Sequence, residues 1–359
     1  MKFLKRIFYL VLIVALAAGA GGWWIYRQVI EPYRGYDEAE VFVDIPSGSG
    51  PARIGERLAA AGVVKDATVF RAGLLISGRA RALKAGEYRF SAPMHVLDVI
   101  DKIARGDVYK RLLTFREGLT IAEMAQVFEQ RGFGKAAEFE QAAANAALVA
   151  DLDPEARDLE GYLFPETYSL PRDTPASAVV AQMVAGFKNA LTPEVRTAMA
   201  ADGLTVRQLV TLASLVEKET GVGDERPLVA AVYRNRMRLR MPMQADPTVI
   251  FALQKAGKYT GNLTREHLRE LDSPYNTYKY PGLPPGPIAA PGRASLHAAA
   301  APADVDYLYF VSKNDGTHVF ASTLEEHNRN VFTWQVDYFR KQRELDRERG
   351  ASSREPAKR

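Results

Sequence analysis

Residues 205–221 read TVRQLVTLASLVEKETG, and the rest of the chain is organised around this stretch. Thr205 followed three residues on by Gln208 is a capping box, the reciprocal side-chain pairing that opens a helix, and Gly221 supplies a stop. Between them Leu209, Val210, Leu212, Ala213, Leu215 and Val216 form one broad apolar face at about 100° per residue. The spacing predicts a helix laid on a domain core. Two acids close it, Glu217 and Glu219. Two residues apart, they point about 160° away from one another, and both sit at the edges of the apolar face. Glu219 falls in the last turn, where exposed carbonyls act as a partial negative charge. That position, with partial burial, disfavours a carboxylate and raises its pKa. A stabilising sequence would place Lys or Arg there, so an acid is a functional candidate. Spacing alone leaves the alternative of two surface glutamates paired with Lys218 or Arg226.

The whole chain has 359 residues, 47% apolar and 25% charged, which suits a folded protein of two or three domains. It has no cysteine, and this excludes disulfides, thiolate metal sites and a cysteine nucleophile. With 47 Lys and Arg against 43 Asp and Glu, the net charge of +4 is too small for a nucleic-acid partner. Five histidines are present, but no HExxH or HxxEH pair and no two at helical spacing, so no metal is implied. A nucleophile elbow, a phosphate-binding loop and a dinucleotide fingerprint are all missing, and no cofactor is expected. Carboxylates are the remaining chemistry.

At the other end, Lys2, Lys5 and Arg6 precede an uncharged run from Ile7 to Tyr26 closed by Arg27. Twenty residues at ~1.5 Å each span about 30 Å, the thickness of a bilayer's hydrocarbon core. The expectation is a short cytoplasmic terminus (1–6), a single transmembrane helix (7–26) with Trp23, Trp24 and Tyr26 at the interface, and everything beyond outside the cytoplasm. A cleaved signal peptide ending near Ala17 or Ala20 is the rival. A polar connector (27–40) leads to a small α+β region. Val41 to Ile45 alternates as a strand, Ile54, Leu58 and Val63 recur at helical spacing, and Ala85 to Phe90 reads as a returning strand. Thr120 opens a helix carrying Met124, Val127 and Phe128 inward. Residues 131–159 read as an Ala-rich helical connection, 160–339 as an aromatic, Gly- and Pro-rich domain, and 340–359 as a charged, disordered tail.

Several segments then appear in a recognisable order. They are Glu160-Gly161-Tyr162-Leu163-Phe164-Pro165-Glu166-Thr167-Tyr168, Leu212 to Thr220, Gln244-Ala245-Asp246-Pro247-Thr248-Val249-Ile250 and Tyr275-Asn276-Thr277-Tyr278. Gly282 to Ile288, Pro291-Gly292, Tyr307 to Val311, His318-Val319-Phe320 and His327-Asn328 follow. The ordered set resembles the endolytic murein transglycosylases of the MltG or YceG-like family. Ala245 stands where that pattern usually has a small polar residue. The layout of an anchor followed by a strand–helix–strand region over 41–130, similar to a LysM module, fits the family too. The fold class expected is therefore α+β: a transmembrane helix, a LysM-like domain and a larger mixed catalytic domain.

The resemblance implies cleavage of the MurNAc–GlcNAc β-1,4 bond within peptidoglycan strands to leave 1,6-anhydro ends, terminating the elongation of nascent strands. It implies an enzyme of the bacterial inner membrane with a periplasmic catalytic domain, and glycan strands as its partner, with peptidoglycan synthases or division proteins nearby. It puts the catalytic role on Glu219, with Glu217 in reserve. Gln244, Asp246, Tyr275, Asn276 and Tyr278 would line the cleft, tyrosines stacking on sugars and amides holding hydroxyl or N-acetyl groups. His318 and His327 read as structural hydrogen-bonders. Two rivals remain: a non-catalytic glycan-binding scaffold, and a hydrolytic muramidase using Asp246 or Glu217 as a second acid.

Overall fold

The structure, a computed structural model, describes residues 2–343, with side chains from Ile7 onward. Among the described residues the chain mixes helix with three short two-stranded sheets and forms two compact units. Of the described residues, the first comprises 2–112 and 169–174, the second 113–168 and 175–343. The boundary at 112 falls inside the segment 41–130, so the helix opened by Thr120 lies in the second unit. Residues 344–359, most of the charged tail, lie outside the described residues.

The first unit begins with α1 (Lys2–Ile30), an unbroken helix whose stretch Ile7–Ile30 is long and apolar enough to cross a membrane. Strand β1 (Val41–Ile45) is followed by α2 (Pro51–Ala60), α3 (Ala67–Ser77), β2 (Gly86–Phe90) and α4 (Val96–Arg105). β1 and β2 pair antiparallel, Val41 opposite Phe90 and Ile45 opposite Gly86. The alternation read from the sequence places Val43 and Ile45 inward with Tyr88 and Phe90. Ile54, Leu58, Phe70 and Ile100 close this core from the helices. Asp66 caps α3 by accepting hydrogen bonds from the amides of Thr68 (2.7 Å) and Val69 (2.9 Å).

Strands β3 (Lys110–Thr114) and β4 (Thr167–Pro171) form the second sheet, and the chain passes between the units inside each of them. The second unit holds α5 (Ile121–Gln130), α6 (Ala136–Ala143), α7 (Ala176–Ala190), α8 (Pro193–Ala201), α9 (Val206–Glu219) and α10 (Arg226–Arg238). Then come α11 (Asp246–Lys255), α12 (Arg265–Glu270), α13 (Arg293–Ala300), the hairpin of β5 (Tyr309–Ser312) and β6 (His318–Ala321), and α14 (Leu324–Val331). α9 is its central rod, packed against α10, α11 and α13. The capping box forms as expected: the Thr205 amide donates to Gln208 Oε1 (2.9 Å) and the Gln208 amide to Thr205 Oγ1 (3.2 Å).

Two features of α9 differ from the sequence reading. Every residue from Leu209 to Val216 is buried, including Thr211 and Ser214, so the helix is enclosed on all sides and not along one face. The Ser214 hydroxyl escapes the cost of burial by donating to Thr211 O (2.7 Å) and accepting from the Ile288 amide (3.1 Å). Nor does Gly221 end the helix. Thr220 turns extended, with φ −136° and ψ 135°, leaving Glu219 as the last helical residue.

Candidate active site

Glu219 stands at the C-terminal end of α9, half-buried, where the chain leaves the core. Tyr233, fully buried on α10, donates its hydroxyl to Glu219 Oε2 at 3.3 Å. Burial pushes the Glu219 carboxyl up to about 7, the nearby negative charge of Asp246 adds to the rise, and the Tyr233 hydrogen bond and the Arg236 charge oppose it. The carboxyl is thus surrounded by protein yet keeps an opening to solvent.

Arg236, also buried on α10, is held by backbone carbonyls: its Nε donates to Leu308 O (2.7 Å) and its Nη1 to Pro242 O (3.1 Å) and Met243 O (2.9 Å). It reaches Gln244 Oε1 at 3.5 Å, and its guanidinium lies over the Tyr309 ring, which stacks on His327. The cation therefore fixes the loop that presents Gln244 and Asp246. Gln244 adopts a left-handed backbone (φ 52°), which is costly for a residue with a side chain and is sustained here by its amide bond to Thr277 O.

The two sequence blocks around Gln244 and Asn276 meet through buried threonines. Thr277 Oγ1 accepts from the Ala245 amide (3.0 Å) and lies 2.9 Å from Thr248 Oγ1, which donates to Ala245 O (2.7 Å). This places Tyr278 beside α11, where its hydroxyl donates to Asp246 Oδ1 at 2.5 Å. Glu219, Gln244, Asp246 and Tyr278 are in this way assembled on one shelf with Tyr233 and Arg236 behind them.

The other sequence candidates lie elsewhere. Asn276 is wholly buried, donating to Leu268 O and Leu271 O (3.0 Å each) and accepting from the Tyr278 amide (3.1 Å). It shapes the loop and offers no free amide to a sugar. Tyr275 packs on Phe251, with Asp158 and Glu160 nearby, and lines a cavity of about 230 Å3 with Arg207, Pro285 and Gly286. Glu217 accepts from the Gly292 amide (2.9 Å) and pairs with Arg226 (3.5 Å). That is the Arg226 pairing the spacing left open, though buried and not at the surface. His318 is a structural hydrogen-bonder: its ring lies 2.7 Å from Glu225, which also receives the Thr220 hydroxyl (3.1 Å). The buried Nδ1 of His327 has no hydrogen-bond partner, so its part is stacking.

Tyr233 and Arg236 are absent from the sequence reading. Their segment, Tyr233-Arg234-Asn235-Arg236-Met237-Arg238, looks like a solvated basic helix. The available signal is the three arginines at every second position, of which Arg234 and Arg236 turn inward.

The YceG-like family model matches residues 43–333, most of the chain. The chain belongs to the YceG-like family. It is 33% identical to the endolytic murein transglycosylase of Bacillus subtilis over 86% of its own length and 89% of that protein's. It is 31% identical to the endolytic murein transglycosylase of Streptococcus pneumoniae over 90% of its length, spanning 64% of that longer protein. A crystal structure of a yceG-like protein from Listeria monocytogenes superposes with a TM-score of 0.56 at 31% identity, covering 82% of this chain and 99% of that one.

Proposed function

We propose that this YceG-like chain is a membrane-anchored lytic transglycosylase that cuts the MurNAc–GlcNAc bond within peptidoglycan strands, with Glu219 as its single catalytic acid and base. The observation that carries the reading is a carboxyl group held by Tyr233 at the open end of a buried helix, with its pKa raised to about 7. Near neutrality such a group is poised between its two protonation states, as a residue that both gives and takes a proton requires.

Protonated Glu219 gives its proton to the glycosidic oxygen as the C1–O bond breaks. The resulting carboxylate takes the proton of the sugar's own 6-hydroxyl, whose oxygen closes on C1. One glycosidic bond is exchanged for one anhydro bond and no water is consumed. Intramolecular attack replaces an activated water with proximity. Tyr233 anchors Oε2, leaving Oε1 to face substrate. Gln244, Asp246 and Tyr278 supply the polar edge of the cleft, while Glu217, Asn276 and Tyr275 act in support, holding the loops that frame it.

In the same reading α1 is a single-pass anchor in the inner membrane, its Lys2, Lys5 and Arg6 end cytoplasmic by the positive-inside rule, so both units are periplasmic. The strand–helix–helix–strand order of β1, α2, α3 and β2, with antiparallel outer strands, supports a LysM-like, glycan-holding role for the first unit. An endolytic cutter tethered there would end nascent strands beside the synthases that make them. Digesting purified glycan strands and weighing the products tests the chemistry. Anhydro ends are expected. Reducing ends would mean a muramidase, with Asp246 the second acid, and no turnover would mean a scaffold.

A further inference from the structure

We propose that the C-terminal end of α3 is a docking surface that seats the first unit on the anionic lipid headgroups of the bilayer that α1 crosses. The inference rests on the reading of α1 as a membrane span. The span Ile7–Ile30 is 24 residues long, about 36 Å as a helix, against a hydrocarbon core of about 30 Å. Its last turns are not free linker. Ile25 is half-buried, Val29 is fully buried in the core of the unit, and Gln28 accepts a hydrogen bond from Lys65 (2.8 Å). The end of the span and the core of the unit share residues, so the unit has no slack with which to leave the membrane surface.

α3 packs against α1, and it is α3 that carries a bare apolar pair. Leu75 is 86% exposed and Ile76 53%, whereas Val69, Phe70 and Leu74 of the same helix are buried. From Ala67 to Gly86 the chain has four cations, Arg71, Arg79, Arg81 and Lys84, and no acid. Arg79 pairs with Asp101 of α4, while the other three form no ion pair among the described residues. All four cations are exposed. An exposed apolar pair rimmed by unpaired cations matches the boundary between acyl chains and anionic headgroups, where long basic side chains reach outward while their stems cover apolar surface. Seated there, the unit would hold its glycan-facing surface at a fixed height above the bilayer.

The chain has no cysteine, so single-cysteine variants of the full-length protein can each carry one environment-sensitive fluorophore. Leu75→Cys and, separately, Val11→Cys are reconstituted into phosphatidylcholine vesicles with and without phosphatidylglycerol, and quenched by lipids brominated along the acyl chain. The label at 11 should be strongly quenched in both. The label at 75 should be quenched and blue-shifted with phosphatidylglycerol, and several-fold less once Arg71, Arg81 and Lys84 are all changed to Glu. Quenching at 11 with none at 75 overturns the docking surface and leaves the anchor standing. Quenching at neither overturns the anchor and the docking together. Quenching at 75 that is indifferent to phosphatidylglycerol overturns the assignment of an anionic surface.

Discussion

Glu219 is held by opposed forces, and that makes its substitutions informative. Glu219→Gln keeps the shape and the Tyr233 contact but has no proton to exchange. Activity should fall by ~10²–10⁴-fold or more, since one group serves both steps, while the far-ultraviolet circular dichroism is unchanged. Asp246→Asn acts through charge. A negative neighbour disfavours the Glu219 carboxylate, so removing it should lower the Glu219 pKa and move the alkaline limb of the pH–rate profile towards acid. A shift towards alkali would sink this electrostatic picture. Glu217→Gln should behave differently from both: it breaks a buried ion pair with Arg226 and weakens the bond to the Gly292 amide. A loss of about 1–3 kcal/mol in denaturant titrations is expected, with most activity retained in the folded fraction. The sequence made Glu219 visible because an acid at a helix C-terminus violates a local rule. It left Tyr233 and Arg236 invisible because an arginine-rich helix reads as solvated unless a nearby carboxyl and several backbone carbonyls are known to turn it inward.

Elements were legible where their pattern was local. β1, β2, the Thr120 and Thr205 helix starts and the long apolar α1 all follow from alternation, capping residues or uncharged length. The division into units was not legible, because it depends on β3 and β4, which meet only after more than fifty intervening residues. This has a practical consequence: deleting 41–130 would remove α5, whose Met124 and Phe128 are buried in the second unit, with Phe128 against Phe139 of α6. Two motif glycines also gain a reason at this scale. A Cβ on Gly292 would overlap the Glu117 carboxylate, and Gly161, at φ +81°, would put one 2.4 Å from Pro287. The Glu160-Gly161-Tyr162 turn therefore approaches Pro287 this closely only with glycine. Gly161→Ala should cost about 1–3 kcal/mol from backbone strain and overlap together, read as a lower urea midpoint at unchanged slope. A change of under ~0.5 kcal/mol would mean that the turn relaxes freely.

At the scale of the whole molecule, three carboxyls among the described residues of the second unit are held above their ordinary range: Glu117, by burial and the negative charge of Glu217, and more strongly Glu160 and Glu219. Glu219 sits at about 7, chiefly from burial, and Glu160 at about 8, from burial that outweighs its hydrogen bonds from the Ile121 amide (3.2 and 3.3 Å). A raised acid binds its proton more tightly in the folded state than in the unfolded one. Its contribution is fully present below the unfolded pKa near 4.5 and is lost as pH rises through the folded value. The fold should therefore weaken steadily between about pH 4.5 and pH 8, by as much as ~3 kcal/mol from Glu219 alone. Gln in its place removes the titration. Thermal melts of the full-length protein should show E219Q more stable than the parent by about 5 °C at pH 8, and equal to it at pH 4.5. Glu160 lies in a different environment, lining a cavity of about 420 Å3 with Thr120, Phe251 and Lys255. Glu160→Gln should flatten the same pH dependence independently, and the two effects should add. If the parent and E219Q melts ran parallel from pH 4.5 to 8, Glu219 would be an ordinary hydrated carboxylate, unable to act as an acid at neutral pH.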